Sequence, residues 1–171
     1  DFALYQPGNT WLVNSGSQLD QPEATFTGAD TFLGVNPASG IVLYYQLPEL
    51  DKADELTLQV ADAAGKVIRT YSSKAVEGAR KWDGGPSPDP LLPKAKGLNR
   101  FVWDLRHPTL PGVPDVYFEA SWAGHRAPPG RYRFTLRLKE RSLSTAAEIL
   151  PNPLYPTDAE TYQAHHALMS E

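Results

Sequence analysis

The stretch GLNRFVWDLR, Gly97–Arg106, decides how this chain is read, because it combines a strand-like apolar run with three charges. A strand sends successive side chains to opposite faces. Period two therefore puts Phe101, Trp103 and Leu105 on one face and Arg100, Val102, Asp104 and Arg106 on the other. The charges are compatible with burial of the aromatic face, and Trp103 is expected to fill the centre of a core. Asp104 is expected to accept hydrogen bonds from loop backbone or to pair with Arg100 or Arg106, since a partly buried carboxylate needs such partners. Scaffolding, not acid catalysis, is the reading of this strand.

Other strands lie outward from it. Downstream, GRYRFTLRL alternates Tyr132, Phe134, Leu136 and Leu138 against Arg131, Arg133, Thr135 and Arg137, and KERS turns it back into LSTAAEIL. Upstream, ELTLQV alternates Leu56, Leu58 and Val60 with Glu55, Thr57 and Gln59, and DAAGK leads into VIRTYS. Gly65 supplies the positive φ of a tight reversal, so this pair is read as a hairpin. IVLYYQL, Ile41–Leu47, is apolar on both faces and is expected to be a central strand that also buries Val42 and Tyr44. The turn NPASG precedes it, residues 72–98 form a long surface crossing, and residues 107–126 form an irregular, Pro-rich aromatic loop.

Composition fits strands and turns. The chain has 171 residues, room for one well-buried core, with 16 prolines and 13 glycines that long helices would not tolerate. Sixteen scattered Lys and Arg and a net charge of −4 leave no basic stripe for nucleic acid. The absence of cysteine removes disulfides, thiolate metal sites and a Cys nucleophile. No apolar run is long enough to span a membrane. The start DFALYQPGN has no initiator Met, basic region or apolar core of a leader, so a piece of a longer protein is expected.

The expected architecture is all-β: an immunoglobulin-like or fibronectin III-like sandwich of about seven strands over residues 36–151. An extended lead-in, residues 1–35, precedes it, with a short strand at Thr10–Val13. A linker and short helix occupy residues 152–171. Thr157 and Glu160 have capping-box spacing for that helix, and no stop signal comes after it, so the helix is expected to run on beyond the end. On it, Tyr162, His166 and Met169 make a modest apolar stripe.

Four stretches, NPASGIVLYYQL, ELTLQVADAAGKVIRTYSS, GLNRFVWDLRHP and APPGRYRFTLRL, together resemble the Ig-like domain that follows the β-propeller in bacterial sortilin-like, neuraminidase-repeat proteins, often labelled glycosyl hydrolases. The W-D and P-G-x-Y elements are also similar to the Ig-like domain of flagellar hook-capping proteins. The resemblance spans about residues 36–150. It implies an exported, non-catalytic accessory module packed on its own upstream propeller, or contacting a protein partner or a second copy. The S-x-D-x-G-x-x-W boxes of the propeller do not occur in this sequence, and the aromatic insertion between Arg106 and Ala127 is longer than the family pattern. In APPGRY, Pro128 and Pro129 end the loop, Gly130 permits the bend, and Tyr132 is expected to form a tyrosine corner.

Candidate chemistry is sparse. Nucleophile-elbow, phosphate-loop, dinucleotide and zinc-protease motifs do not occur, and no cofactor is expected. Asp115 and Glu119 are the only acidic pair in the aromatic loop and would be a glycosidase's carboxylates, against the simpler reading of a solvated loop. Trp82, Tyr117, Phe118 and Trp122 are the ligand or interface candidates, because aromatic faces stack on sugars and anchor protein interfaces. A cover for the end of the core or a protein interface is the favoured role, and a carbohydrate-binding module is the alternative. For metal, His165 and His166 are adjacent on a helix and point about 100° apart, so they do not chelate one ion together. His107 and His125 flank one loop and can approach each other, but with no third ligand in sight no metal site is expected.

Overall fold

The computed structural model describes residues 1–13, 16–20, 34–76, 81–117 and 119–170. Phe118 and much of the expected lead-in lie outside the described residues. The described chain is mostly β, with two sheets and one short C-terminal helix. Its strands are β1 (Ala3–Leu4), β2 (Thr10–Trp11), β3 (Ile41–Leu47), β4 (Leu56–Ala61), β5 (Val67–Ser72), β6 (Gly97–Trp103), β7 (Gly130–Leu138) and β8 (Arg141–Leu150), and α1 spans Ala159–Met169. One sheet has the order β1-β3-β6, the other β2-β8-β7-β4-β5.

Both sheets turn their apolar faces to a single core. Phe101 and Trp103 of β6 meet the other sheet in ring contacts: Tyr71 lies 4.8 Å from Phe101, and Tyr132 and Phe134 lie 5.1 and 5.7 Å from Trp103, centroid to centroid. The alternation read for β4, β6 and β7 holds, with Leu56, Leu58, Val60, Phe101, Trp103, Tyr132, Phe134, Leu136 and Leu138 all buried. Trp103 is fully enclosed, and such indoles cost roughly 3–5 kcal/mol to replace by Ala. The β4–β5 hairpin turns at Gly65, φ +86°, and β7 turns into β8 through Lys139, φ +53°.

Three expectations are corrected. β3 is central in its sheet but is buried on one face only: Ile41, Leu43, Tyr45 and Leu47 are inside, whereas Val42 is half-buried and Tyr44 is 42% exposed. Its sheet is an outer layer among the described residues, so the second apolar row faces outward. The cap of α1 is Asp158, whose carboxylate accepts from the Thr161 amide at 2.7 Å, so Thr157 stands one residue before the cap. In its last turn the Ser170 amide donates to the Ala167 carbonyl at 3.1 Å. The short N-terminal strand is Thr10–Trp11, and it runs parallel to the end of β8.

A bulge interrupts the β4–β5 pairing next to Arg69, which lies on the inward face with Tyr71. Val60 pairs with Arg69, but Ala61 pairs with Val67, so Ile68 is the extra residue. The bend buries Ile68 and Arg69 in succession.

Candidate functional site

The aromatic loop is a pinched hairpin. Arg106 and Arg126 form an isolated antiparallel bridge. On either side the Ala127 amide donates to the Leu105 carbonyl at 2.7 Å, His107 to His125 at 2.9 Å and Leu110 to Trp122 at 2.7 Å. Leu105 enters this pairing with φ +60°, which ends β6 and redirects the chain. The Trp103 indole N–H donates to the Arg106 carbonyl at 3.3 Å and ties the pinch to the core.

Arg69 reaches the base of the loop from β5. Its Nη1 donates to the His107 carbonyl at 2.7 Å and the Arg106 carbonyl at 3.3 Å, and its Nη2 meets Asp89 Oδ1 at 2.5 Å. Asp104 Oδ1 lies 3.7 Å from the same guanidinium and accepts the Arg106 amide at 3.1 Å. The expected backbone contact of Asp104 is therefore present, but its cation is Arg69. The Arg106 guanidinium instead donates to the Gly124 carbonyl at 2.8 Å, and Arg100 donates to the Leu19 carbonyl. The guanidinium carbon of Arg69 also sits 5.0 Å from the centre of the Tyr71 ring. Burial, then the Asp104 carboxylate, push the Tyr71 hydroxyl well above its usual pKa.

A hollow of about 660 Å³ lies above this node, bordered by Arg69, Asp89, Asp104, Tyr117, Glu119 and Trp122 among others. Glu119 thus joins Asp89 and Asp104 at one opening, while Asp115, at φ +62°, does not border it. Asp83 borders the same hollow, and of these four acids Asp89 and Asp104 pair with Arg69.

Two of the aromatic candidates are stitches between loops. The Trp82 indole donates to the Val116 carbonyl at 3.1 Å and the Trp122 indole to the Gly84 carbonyl at 2.7 Å. Trp82 also packs so closely on Gly85 and Gly112 that a Cβ at either position would press into the indole. Tyr117 differs: it is 64% exposed at the tip, with Leu110, Val113 and Val116 exposed on the same loop. Gly130, φ +150°, opens β7, and the Tyr132 hydroxyl donates to the Pro128 carbonyl at 2.7 Å, the expected corner contact.

A second cluster is one the sequence did not assemble. His107 and His125 are cross-strand partners in the pinch, their rings stacked 4.1 Å apart at 11°. α1 brings His166 beside both, with centroids 5.0 Å from His107 and 5.1 Å from His125. His125 Nε2 and His166 Nδ1 are 3.0 Å apart. The expectation that the loop pair lacks a third imidazole is corrected by the helix, whose Tyr162 hydroxyl accepts the Asn152 amide at 3.4 Å as α1 folds back. Of the expected stripe, Tyr162 and His166 are half-buried, while Met169 is 51% exposed. Burial, then the neighbouring His125 and His166, lower the His107 pKa to about 4, and burial followed by His166 lowers that of His125. Among the described residues no helix is long and apolar enough to cross a membrane. Comparison of the chain with protein-family models, with curated proteins and with solved structures finds no match.

Proposed function

We propose that this chain is a non-catalytic accessory domain of the immunoglobulin-like sandwich type, part of a larger exported sortilin-like β-propeller protein, working through protein–protein contacts with that propeller. Several features support the sandwich type. The connections β3 to β4 and β5 to β6 change sheets, as Greek-key connections do, and the N-terminal segment divides between the sheets, β1 beside β3 and β2 beside β8. Tyr132 makes the tyrosine-corner bond to Pro128 at the start of β7. One departure from antibody domains is that the core indole, Trp103, comes from β6, the strand before the corner.

The observation that carries the contact role is the braced loop. Its backbone is fixed at the base by the Arg106–Arg126 bridge and across the top by the indoles of Trp82 and Trp122, yet Leu110, Val113, Val116 and Tyr117 are exposed. A rigid loop that shows clustered apolar side chains loses little entropy on binding and suits a protein interface. Trp82, packed on Gly85 and Gly112, is poorly placed as a platform for a sugar ring. Export rests on the resemblance alone.

The test is association of this chain with the polypeptide encoded directly upstream in its reading frame. A 1:1 complex is expected, weakened about tenfold or more by Val113→Asp with Tyr117→Glu at unchanged Tm. An upstream segment without propeller repeats, or no association with it, overturns the reading.

A further inference from the structure

The geometry points to a divalent transition-metal site of the zinc class, built from the imidazoles of His107, His125 and His166, that fastens the C-terminal helix to the aromatic loop. This goes beyond the accessory-domain reading and does not depend on it. One ligand nitrogen from each ring lies within 4.8 Å of the others. Tetrahedral zinc with bonds of about 2.0–2.1 Å places its ligand nitrogens roughly 3.3 Å apart. The His125–His166 pair, at 3.0 Å, already has that spacing. A rotation of the stacked His107 ring closes the third side.

The donor set argues for this class of ion. Three neutral nitrogens with neither thiolate nor carboxylate among them suit zinc, copper, nickel or cobalt and disfavour calcium and magnesium, which take oxygen ligands. Three protein ligands leave one tetrahedral position free, and a hollow of about 240 Å³ opens beside His107 and His166, bordered by Asp62, Arg131 and Gln163. Water or an anionic group of a partner fits that position.

The three ligands are also placed independently of an ion. His107 and His125 are opposed by the backbone pairing of the pinch, and the His107 carbonyl is held by Arg69. His166 arrives on α1, whose start is fixed by the Asp158 cap. No residue of α1 is fully buried, so the helix holds to the body through few contacts, and an ion joining it to the loop has a large relative effect on its docking.

The test is a titration of the chelator-treated chain with Zn²⁺ by calorimetry and with Co²⁺ by visible absorption, alongside hydrogen exchange of the α1 amides. One ion per chain, intense bands of four-coordinate cobalt and slowed exchange in α1 are expected. His166→Ala is expected to lower affinity by more than about 100-fold, beyond the roughly 10–100-fold that loss of an outer-shell partner commonly costs. His107→Ala is expected to do the same, while His165→Ala binds like the parent. If His107→Ala fails to fold, His166→Ala decides alone, because that side chain stands on a helix surface. The inference is overturned by the absence of saturable Zn²⁺ binding, by binding that survives His166→Ala, by loss of binding in His165→Ala, or by one ion shared between two chains.

Discussion

The Arg69 guanidinium donates to the main-chain carbonyl of His107 at 2.7 Å, which joins a buried cation on β5 to the loop that presents both the apolar tip and two of the three clustered imidazoles. Arg69 is 6% exposed, and its fork serves two carbonyls and one carboxylate at once. Removing it leaves the His107 carbonyl without its donor, the Arg106 carbonyl with the Trp103 indole N–H alone, and two carboxylates without their shared cation. Arg69→Ala is expected to lower stability by about 2–4 kcal/mol in denaturant unfolding. Arg69→Lys is expected to recover less than half of that, because an ammonium cannot reproduce a planar fork. Full recovery by Lys would show that charge alone matters here.

The Tyr132 corner gives a smaller, cleaner effect. Tyr132→Phe keeps the ring against Trp103 and deletes only the bond to the Pro128 carbonyl. A loss of about 1 kcal/mol is expected, seen as a Tm lower by roughly 2–4 °C in a chain of this size. An unchanged Tm would mean that water replaces the hydroxyl without cost.

Much of the fold was legible because period two survives in β4, β6 and β7, where one face is core and the other is not. β3 misled for a local reason: Val42 and Tyr44 are apolar, but the sheet has no described layer on their side, and composition alone does not tell a covered face from an exposed one. Arg69 was readable in part, since counting back two from Tyr71 puts it on the inward face, an unusual place for a cation. The bulge at Ile68, which sets two buried residues in succession, carries no Gly or Pro to announce it. The pairing of His107 with His125 becomes clear once Arg106 is known to oppose Arg126. His166 was out of reach, because which face of a helix docks, and where, depends on a chain reversal through residues 151–158 that no spacing rule fixes.

Gly124 is the residue whose smallness the loop requires most. A Cβ there would lie far inside van der Waals contact with the Pro108 and His107 carbonyl oxygens, so the two arms of the pinch pass at a distance only glycine allows. Gly124→Ala is expected to separate the arms and cost about 1–3 kcal/mol, and to weaken the stacking of His107 on His125. Gly8→Ala, with open space around it, is the control and is expected to be near neutral. The readout is Tm together with the imidazole proton shifts of the two histidines, and equal behaviour of the two variants would refute the close approach.

Acid should loosen the metal-free chain in a defined window. The His107 pKa is about 4 in the folded chain, lowered first by burial and then by its histidine neighbours, against an ordinary value of 6.5. Above pH 6.5 both folded and unfolded chains hold this imidazole neutral, and stability is fully present. Between 6.5 and 4 the unfolded chain binds a proton that the folded one refuses, so unfolding gains and stability falls; below 4 both are protonated and the slope ends. His125, shifted in the same direction, adds to the slope. In chelator, Tm is expected to fall between pH 7 and pH 4.5, and His107→Phe is expected to remove most of that dependence, since Phe stacks without titrating. A slope that persists undiminished in His107→Phe would assign the acid sensitivity to carboxylates elsewhere in the fold.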